Sequence, residues 1–197
     1  MLRDGTQALR HPGSRAVRIR MTQPQQELDR LATQLFHAME KSGDVLVLAE
    51  SCTAGLIAAT LARVPGMSRR LAGSFVVYQI DSKVAWLGIS ADTIQRHDVV
   101  SREVAESMAT QALNRTPHAT IAMSITGHLG PDAPAVIDGI AWLAIARSGM
   151  KTSATQLQLK PDSASPDNTV ENPCRIRHAR QSDAVFQALS RLSEEIF

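Results

Sequence analysis

One serine of this sequence has a setting that suits nucleophilic chemistry. Ser51 lies in Glu50-Ser51-Cys52-Thr53-Ala54-Gly55, directly after the apolar run Val45-Leu46-Val47-Leu48-Ala49. A serine at a strand-to-helix turn lies near the first free N–H groups of the helix. Those groups donate to an oxyanion, and the helix dipole favours negative charge there. The nucleophile needs a base, and none of the six histidines has the context for that role. Lys83 suits it, because a lysine partly desolvated in a pocket has its pKa lowered into a useful range. Tyr78, the chain's only tyrosine, stands five residues earlier and is placed to relay a proton or orient the lysine. Each residue also has an ordinary reading. Ser is a preferred helix cap. Lys83 alone reads as a solvated helix residue, and Tyr78 alone as a strand residue with a wet hydroxyl. Cys52 is a rival nucleophile, although a Cys in such a turn is more often a small buried residue.

Two other stretches suit a ligand. The backbone of Gly127-His128-Leu129-Gly130 can approach a phosphate, as glycine loops near helix starts do. A plain turn fits those residues as well, with His128 a simple loop histidine. Arg175, Arg177 and Arg180 form a basic cluster that either clamps a phosphate or is a solvated helix start.

The elements that must position these residues follow from apolar spacing. A helix runs from about Gln25 to Lys41, with Leu28, Leu31, Ala32, Leu35, Phe36 and Met39 on one face. Gly43 stops it. Residues 45–49 read as a strand buried on both faces. A helix from about Ala54 to Arg63 ends at Val64-Pro65-Gly66. Gly73 to Tyr78 is a second strand, and Ser82 to Leu87 a short helix closed by Gly88. Ser90 and Ser101 have the look of N-caps, and Ser101 opens a helix to about Asn114. Strands follow over Thr120–Thr126, Gly139–Arg147 and Thr152–Leu159, and a last helix over Arg177–Ile196. This alternation predicts a three-layer α/β/α sandwich with a mostly parallel, mixed sheet. In open α/β folds ligands bind beyond the carboxyl ends of strands. Ser51, the Tyr78–Lys83 stretch and the Thr126–Pro131 stretch all fall at such ends.

Composition bounds the rest. A chain of 197 residues suits one domain plus tails. It is 44% apolar but only 4% aromatic, so the core must be built from Ala, Leu, Ile and Val. No apolar run reaches the roughly 20 residues that cross a bilayer, which predicts a soluble protein with no membrane partner. The net charge of +2 hides a +4 leader: residues 1–20 hold five Arg and one Asp, leaving −2 for the remainder. A weakly acidic body gives no electrostatic reason to bind nucleic acid. The leader reads as a disordered extension upstream of a start at Met21, more than as a targeting segment. Residues 21–197 then form a single domain. Within it, residues 160–173, rich in Pro, Asp, Ser and Asn, form a flexible loop. Cys52 and Cys174 make neither a zinc site nor a disulfide framework, which fits a reducing cytoplasm. The histidines are scattered, so no metal is expected.

Four motifs, in order, carry a family resemblance. Ala49-Glu50-Ser51-Cys52-Thr53-Ala54-Gly55-Leu56 is the most specific. Gly73 to Lys83, leading to Leu87-Gly88, is the second. The third is Val100-Ser101-Arg102-Glu103-Val104-Ala105-Glu106-Ser107-Met108-Ala109. The fourth is Ser124-Ile125-Thr126-Gly127-His128-Leu129-Gly130-Pro131. From Ala49 to Trp142 the chain resembles the CinA C-terminal domain family, which includes the stand-alone PncC nicotinamide-nucleotide amidohydrolases. The resemblance implies an amidohydrolase that converts nicotinamide mononucleotide to nicotinate mononucleotide and ammonia, without metal or other cofactor. It makes Ser51 the nucleophile and matches Lys83 and Tyr78 to the family lysine and tyrosine. It also implies substrate-binding positions at Thr53, Thr126, Gly127, Gly130 and Arg177. Backbone N–H groups near Cys52 and Thr53 would hold the oxyanion. A homo-oligomer is implied as well, because family members commonly self-associate.

The chain departs from the family pattern in two places. Gln79-Ile80 replaces a small polar Ser-Asn pair. The loop after Gly130-Pro131 is shorter and poorer in glycine, His128 stands at a usually small apolar position, and Asp138 brings a negative charge toward a site meant for a phosphate. These changes keep two other readings open. One is a non-catalytic paralogue that binds a nucleotide or a protein partner. The other is an amidase for a different small amide.

Overall fold

The computed structural model describes residues 23–130, 133–160 and 173–197. The expected leader over 1–20 and nearly all of the expected loop over 160–173 lie outside them.

Helix α1 (Gln23–Ser42) buries the predicted face, with Ala32, Leu35 and Met39 fully covered. Strand β1 (Leu46–Glu50) is buried throughout, as its unbroken apolar run requires. Helix α2 (Leu56–Leu61) and a single 3-10 turn at Met67–Arg69 lead into β2 (Leu71–Val76). Three helices follow: α3 (Ile80–Leu87), α4 (Ala91–His97) and α5 (Arg102–Asn114). Then come β3 (Ile121–Gly127), β4 (Ile140–Arg147), β5 (Ser153–Gln158) and α6 (Pro173–Ile196). The Ser101 hydroxyl caps α5 by accepting from the Val104 N–H. Ser90 occupies the cap position of α4, but its side chain makes no capping bond.

The strands are ordered β2-β1-β3-β4-β5. β1 is parallel to both β2 and β3, whereas β4 pairs antiparallel with β3 and β5. The sheet is mixed as expected, although only half of its pairings are parallel. Among the described residues the connections into β4 and β5 hold no helix, and a parallel return usually needs a helical crossover.

Side-chain alternation splits the core into two layers. Leu46, Leu48, Ile121, Met123, Leu143 and Ile145 face the cluster with α1, α2 and α6. Val47, Ala49, Ala122, Ala144 and Ala146 face the cluster with α5. Small residues on both sides of that second interface, including Ala105, Ala109 and Ala112, bring α5 close to the sheet. The buried Ser124 hydroxyl donates to the Ala105 carbonyl at 2.6 Å. Because β1, β2 and β3 run parallel, their carboxyl ends gather at one edge. Ser51, Tyr78 and Gly127 meet there.

Candidate active site

The site begins with the turn after β1. The Ser51 N–H donates to the Ile125 carbonyl at 3.0 Å, which fixes the serine against β3. The chain then bends through two left-handed residues, Ala54 (φ 52°) and Gly55 (φ 93°). Gly55 is the N-cap of α2, in a conformation that favours glycine. The helix therefore starts at Leu56 rather than Ala54, with Gly55 and not Ser51 as its cap. Glu50 occupies its first N–H groups. Its Oε2 accepts from Thr53 Oγ1 (2.8 Å), Gly55 N (3.0 Å) and Ile57 N (3.1 Å). Its Oε1 accepts from Ala58 N and Ser74 Oγ, both at 3.0 Å. With the α2 terminus occupied, the N–H groups left beside Ser51 are those of Cys52 and Thr53, which have no backbone acceptor among the described residues.

Lys83 enters from α3 with no exposed surface at all. Its Nζ donates to the Val77 carbonyl at 2.7 Å and to Ser51 Oγ at 2.9 Å. Sequence suggested partial desolvation, and burial is complete. A buried ammonium without a carboxylate partner loses hydration that nothing replaces. Burial accordingly pushes the Lys83 amine down to about 8. Burial also pushes the adjacent Cys52 thiol up to about 12, so Cys52 stays a neutral thiol.

Above this pair opens a cleft of about 180 Å³. Its floor is Ser51, Cys52 and Lys83. Tyr78, Ile80, Val99, Val100, Thr126, Gly127, His128 and Arg177 complete its lining. Seven of the nine site residues read from sequence thus come together. Thr53 does not line the cleft, because its hydroxyl turns away to Glu50. Gly130 contributes from behind: its carbonyl accepts from Arg177 Nη1 at 3.0 Å. Tyr78 is half exposed, and its hydroxyl accepts from Arg177 Nη2 at 2.5 Å. No hydrogen bond joins Tyr78 to Lys83 or Ser51; its hydroxyl is paired with Arg177 instead. The Thr126 hydroxyl donates to the Val99 carbonyl at 2.9 Å. Gly127 is glycine because a Cβ there would stand 2.5 Å from the Cβ of Ala141 on β4.

The arginine cluster divides on folding. Arg175 is exposed, and Arg177 lines the cleft. Arg180 is buried in a two-armed pair with Asp138, both arms at 2.7 Å, and also donates to the Leu129 carbonyl. Arg180 is therefore no phosphate clamp, and Asp138 is no unpaired charge beside the cleft. Hydrogen bonds from Arg180 hold the Asp138 carboxyl below its usual pKa. Gly130 makes room for this pair: a Cβ there would stand 2.4 Å from Arg180 Nη1, at φ +61°.

Sequence reading missed Glu50 as a site residue, since a charged residue ending a strand reads as surface. The available signal was period two: Leu46, Leu48 and Glu50 share the face that α2 covers. Among the described residues no three His, Cys, Asp or Glu side chains cluster as metal ligands.

A mixed five-stranded sheet between two helical layers, carrying a buried serine–lysine pair at the ends of its parallel strands, defines the class of domain. The chain belongs to the CinA C-terminal domain family, whose pattern it matches over residues 28–172. It is 36% identical over 133 residues to a CinA-like protein of Myxococcus xanthus, covering 66% of this chain and 31% of that protein. It is 41% identical over 95 residues to a CinA-like protein of Solibacter usitatus, covering 48% of this chain and 23% of that one. The chain thus matches a third or less of these curated relatives' length. A crystal structure of a CinA superfamily protein from Klebsiella pneumoniae superposes with TM-score 0.74 at 25% identity, covering 86% of this chain and 97% of that one. A competence/damage inducible protein from Agrobacterium tumefaciens superposes with TM-score 0.66 at 28% identity, covering 83% and 96%.

Proposed function

We propose that this chain is a serine amidohydrolase that cleaves the carboxamide of nicotinamide mononucleotide, releasing ammonia and nicotinate mononucleotide. The observation that carries the reading is the buried Lys83 amine 2.9 Å from Ser51 Oγ. A neutral amine in that position donates to Val77 and accepts the serine proton with its lone pair. Ser51 Oγ attacks the carboxamide carbon as its proton passes to Lys83. The N–H groups of Cys52 and Thr53 receive the oxyanion. The Lys83 ammonium returns a proton to the departing nitrogen, which leaves as ammonia, and an ester of Ser51 remains. Water then attacks that ester, giving a proton to Lys83, which restores the serine. Arg177 binds the phosphate across the cleft from the reacting amide.

The test is ammonia release from nicotinamide mononucleotide by the purified chain, with Ser51→Ala as control. Serine-dependent release supports the reading; undiminished release by Ser51→Ala removes it.

A second reading, an amidase for a different small amide, draws on Ile80. This residue gives the cleft an apolar wall with Val99 and Val100 where the family carries a polar residue. Ammonia release across a panel of aromatic and aliphatic amides separates the two.

A further inference from the structure

We propose that Glu50 is a positioning residue for the Ser51–Lys83 pair, tying the nucleophile turn to the strand that leads to the base. Glu50 is 1% exposed, and its carboxylate accepts five hydrogen bonds. All five donors are neutral: two hydroxyls and three backbone N–H groups. A carboxylate taken out of water without a cation is costly, and a full set of donors is what makes it tolerable. The donors come from three places. Thr53 and Gly55 belong to the nucleophile turn, Ile57 and Ala58 to the first turn of α2, and Ser74 to β2.

The main chain of the same residue completes the link. The Glu50 carbonyl accepts from the Val77 N–H at 2.8 Å. The Val77 carbonyl in turn accepts from Lys83 Nζ, and Lys83 donates to Ser51, which follows Glu50 in the chain. Glu50, Val77, Lys83 and Ser51 therefore form a closed ring. The Glu50 side chain holds both sides of it: the turn through Thr53 and Gly55, the strand through Ser74. Loss of the carboxylate lets the turn and β2 shift relative to one another, which misplaces Ser51 Oγ from Lys83 Nζ. A displacement near 1 Å is enough to cost up to about 100-fold in rate.

This inference rests on Ser51 being a lysine-activated nucleophile, so its test avoids any particular amide. The rate of Ser51 labelling by a fluorophosphonate is measured against pH for the full chain and for Glu50→Gln, alongside thermal unfolding. Glu50→Gln is expected to fold, to label at least about 10-fold more slowly, and to lose the wild-type pH midpoint. A residue that only caps α2 would lower the unfolding temperature and leave labelling rate and midpoint unchanged; that result overturns the proposal. If Glu50→Gln does not fold, the Thr53→Val/Ser74→Ala pair decides, since it removes two of the five bonds and keeps the carboxylate. Slowed labelling of that variant supports the proposal, and wild-type labelling overturns it. Failure of the parent chain to label removes the nucleophile reading and this inference together. Normal labelling of both parent and Glu50→Gln removes this inference alone.

Discussion

Lys83 Nζ stands 2.9 Å from Ser51 Oγ and has no surface exposed to water. The proposed base is thus an amine that the fold itself has deprived of hydration. Only the neutral amine accepts the serine proton, and burial sets its pKa at about 8. From roughly pH 6 upward, kcat/KM should rise about tenfold per pH unit and level off as Lys83 becomes neutral. A pH–rate profile that is flat across that range excludes Lys83 as the base.

The same burial has a stability consequence. The folded pKa of about 8 lies below the ordinary 10.5, so the unfolded chain holds this proton more tightly. Stability therefore rises with pH between those two values, and below about 8 the full cost of the buried charge is present. That cost is on the order of 3 kcal/mol. Lys83→Met removes it and forfeits the bonds to Val77 and Ser51, each worth about 1 kcal/mol. The variant should be inactive yet more stable at pH 7, by about 1 kcal/mol, with the gain fading toward pH 10.5. Urea unfolding at the two pH values checks this, and a destabilised Lys83→Met at pH 7 contradicts it.

Cys52 makes a sharper distinction between neighbours. Its thiol is buried and held near 12, so it carries no thiolate at working pH. Cys52→Ala should keep activity within about threefold and lose about 1 kcal/mol of stability through the lost sulfur packing. Iodoacetamide should leave the proposed activity of the parent chain intact. Inactivation by the reagent, abolished in Cys52→Ala, would make Cys52 the nucleophile instead.

How much of this was legible beforehand depends on the range of the interaction. The strands and long helices were readable because each presents its own apolar face: Leu28 to Met39 for α1, Val45 to Ala49 for β1. The clustering of Ser51, Tyr78, Lys83 and Thr126 followed from parallel strands ending together. The start of α2 was not readable, because Ala54 and Gly55 adopt left-handed conformations that lengthen the turn. Nor were the pairings that sort like residues into unlike roles. Arg177 and Arg180 are three residues apart, yet one faces Tyr78 and the other Asp138, and those partners are 99 and 42 residues away. Local pattern holds no information about such contacts.

Arg177 and Tyr78 form one hydrogen-bonded unit in the cleft lining, so binding and proton transfer are separable by mutation. Tyr78→Phe removes a hydroxyl that touches Arg177 and not Lys83. It should change kcat by no more than about threefold, whereas a true relay would forfeit 10²–10⁴-fold. Arg177→Ala should raise KM for a phosphorylated amide by about tenfold or more, with a smaller effect on kcat. For the same amide without its phosphate, the variant and the parent should match. Steady-state kinetics on the two substrates decides, and equal losses on both would place Arg177 in structural support alone.

Arg180 ties the Leu129 carbonyl to the Asp138 carboxylate, and that bolt should show in both stability and binding. Arg180 is 8% exposed, so removing its carboxylate partner strands a buried charge. Because the Asp138 side is about a third exposed, solvent recovers part of the cost, leaving about 2 kcal/mol for Asp138→Ala. The carboxyl's pKa is lowered in the fold, so this stabilisation is present above the ordinary 3.8 and is lost as pH falls below it. Parent and variant should therefore differ in stability at pH 7 and converge in acid. Gly130→Ala attacks the same bolt from the backbone. Its new methyl would stand 2.4 Å from Arg180 Nη1, on a residue at φ +61°. Since the Gly130 carbonyl also holds Arg177, both substitutions should raise KM as well as lower the unfolding temperature. Normal KM in a destabilised Asp138→Ala would show that the bolt steadies the fold without reaching the ligand.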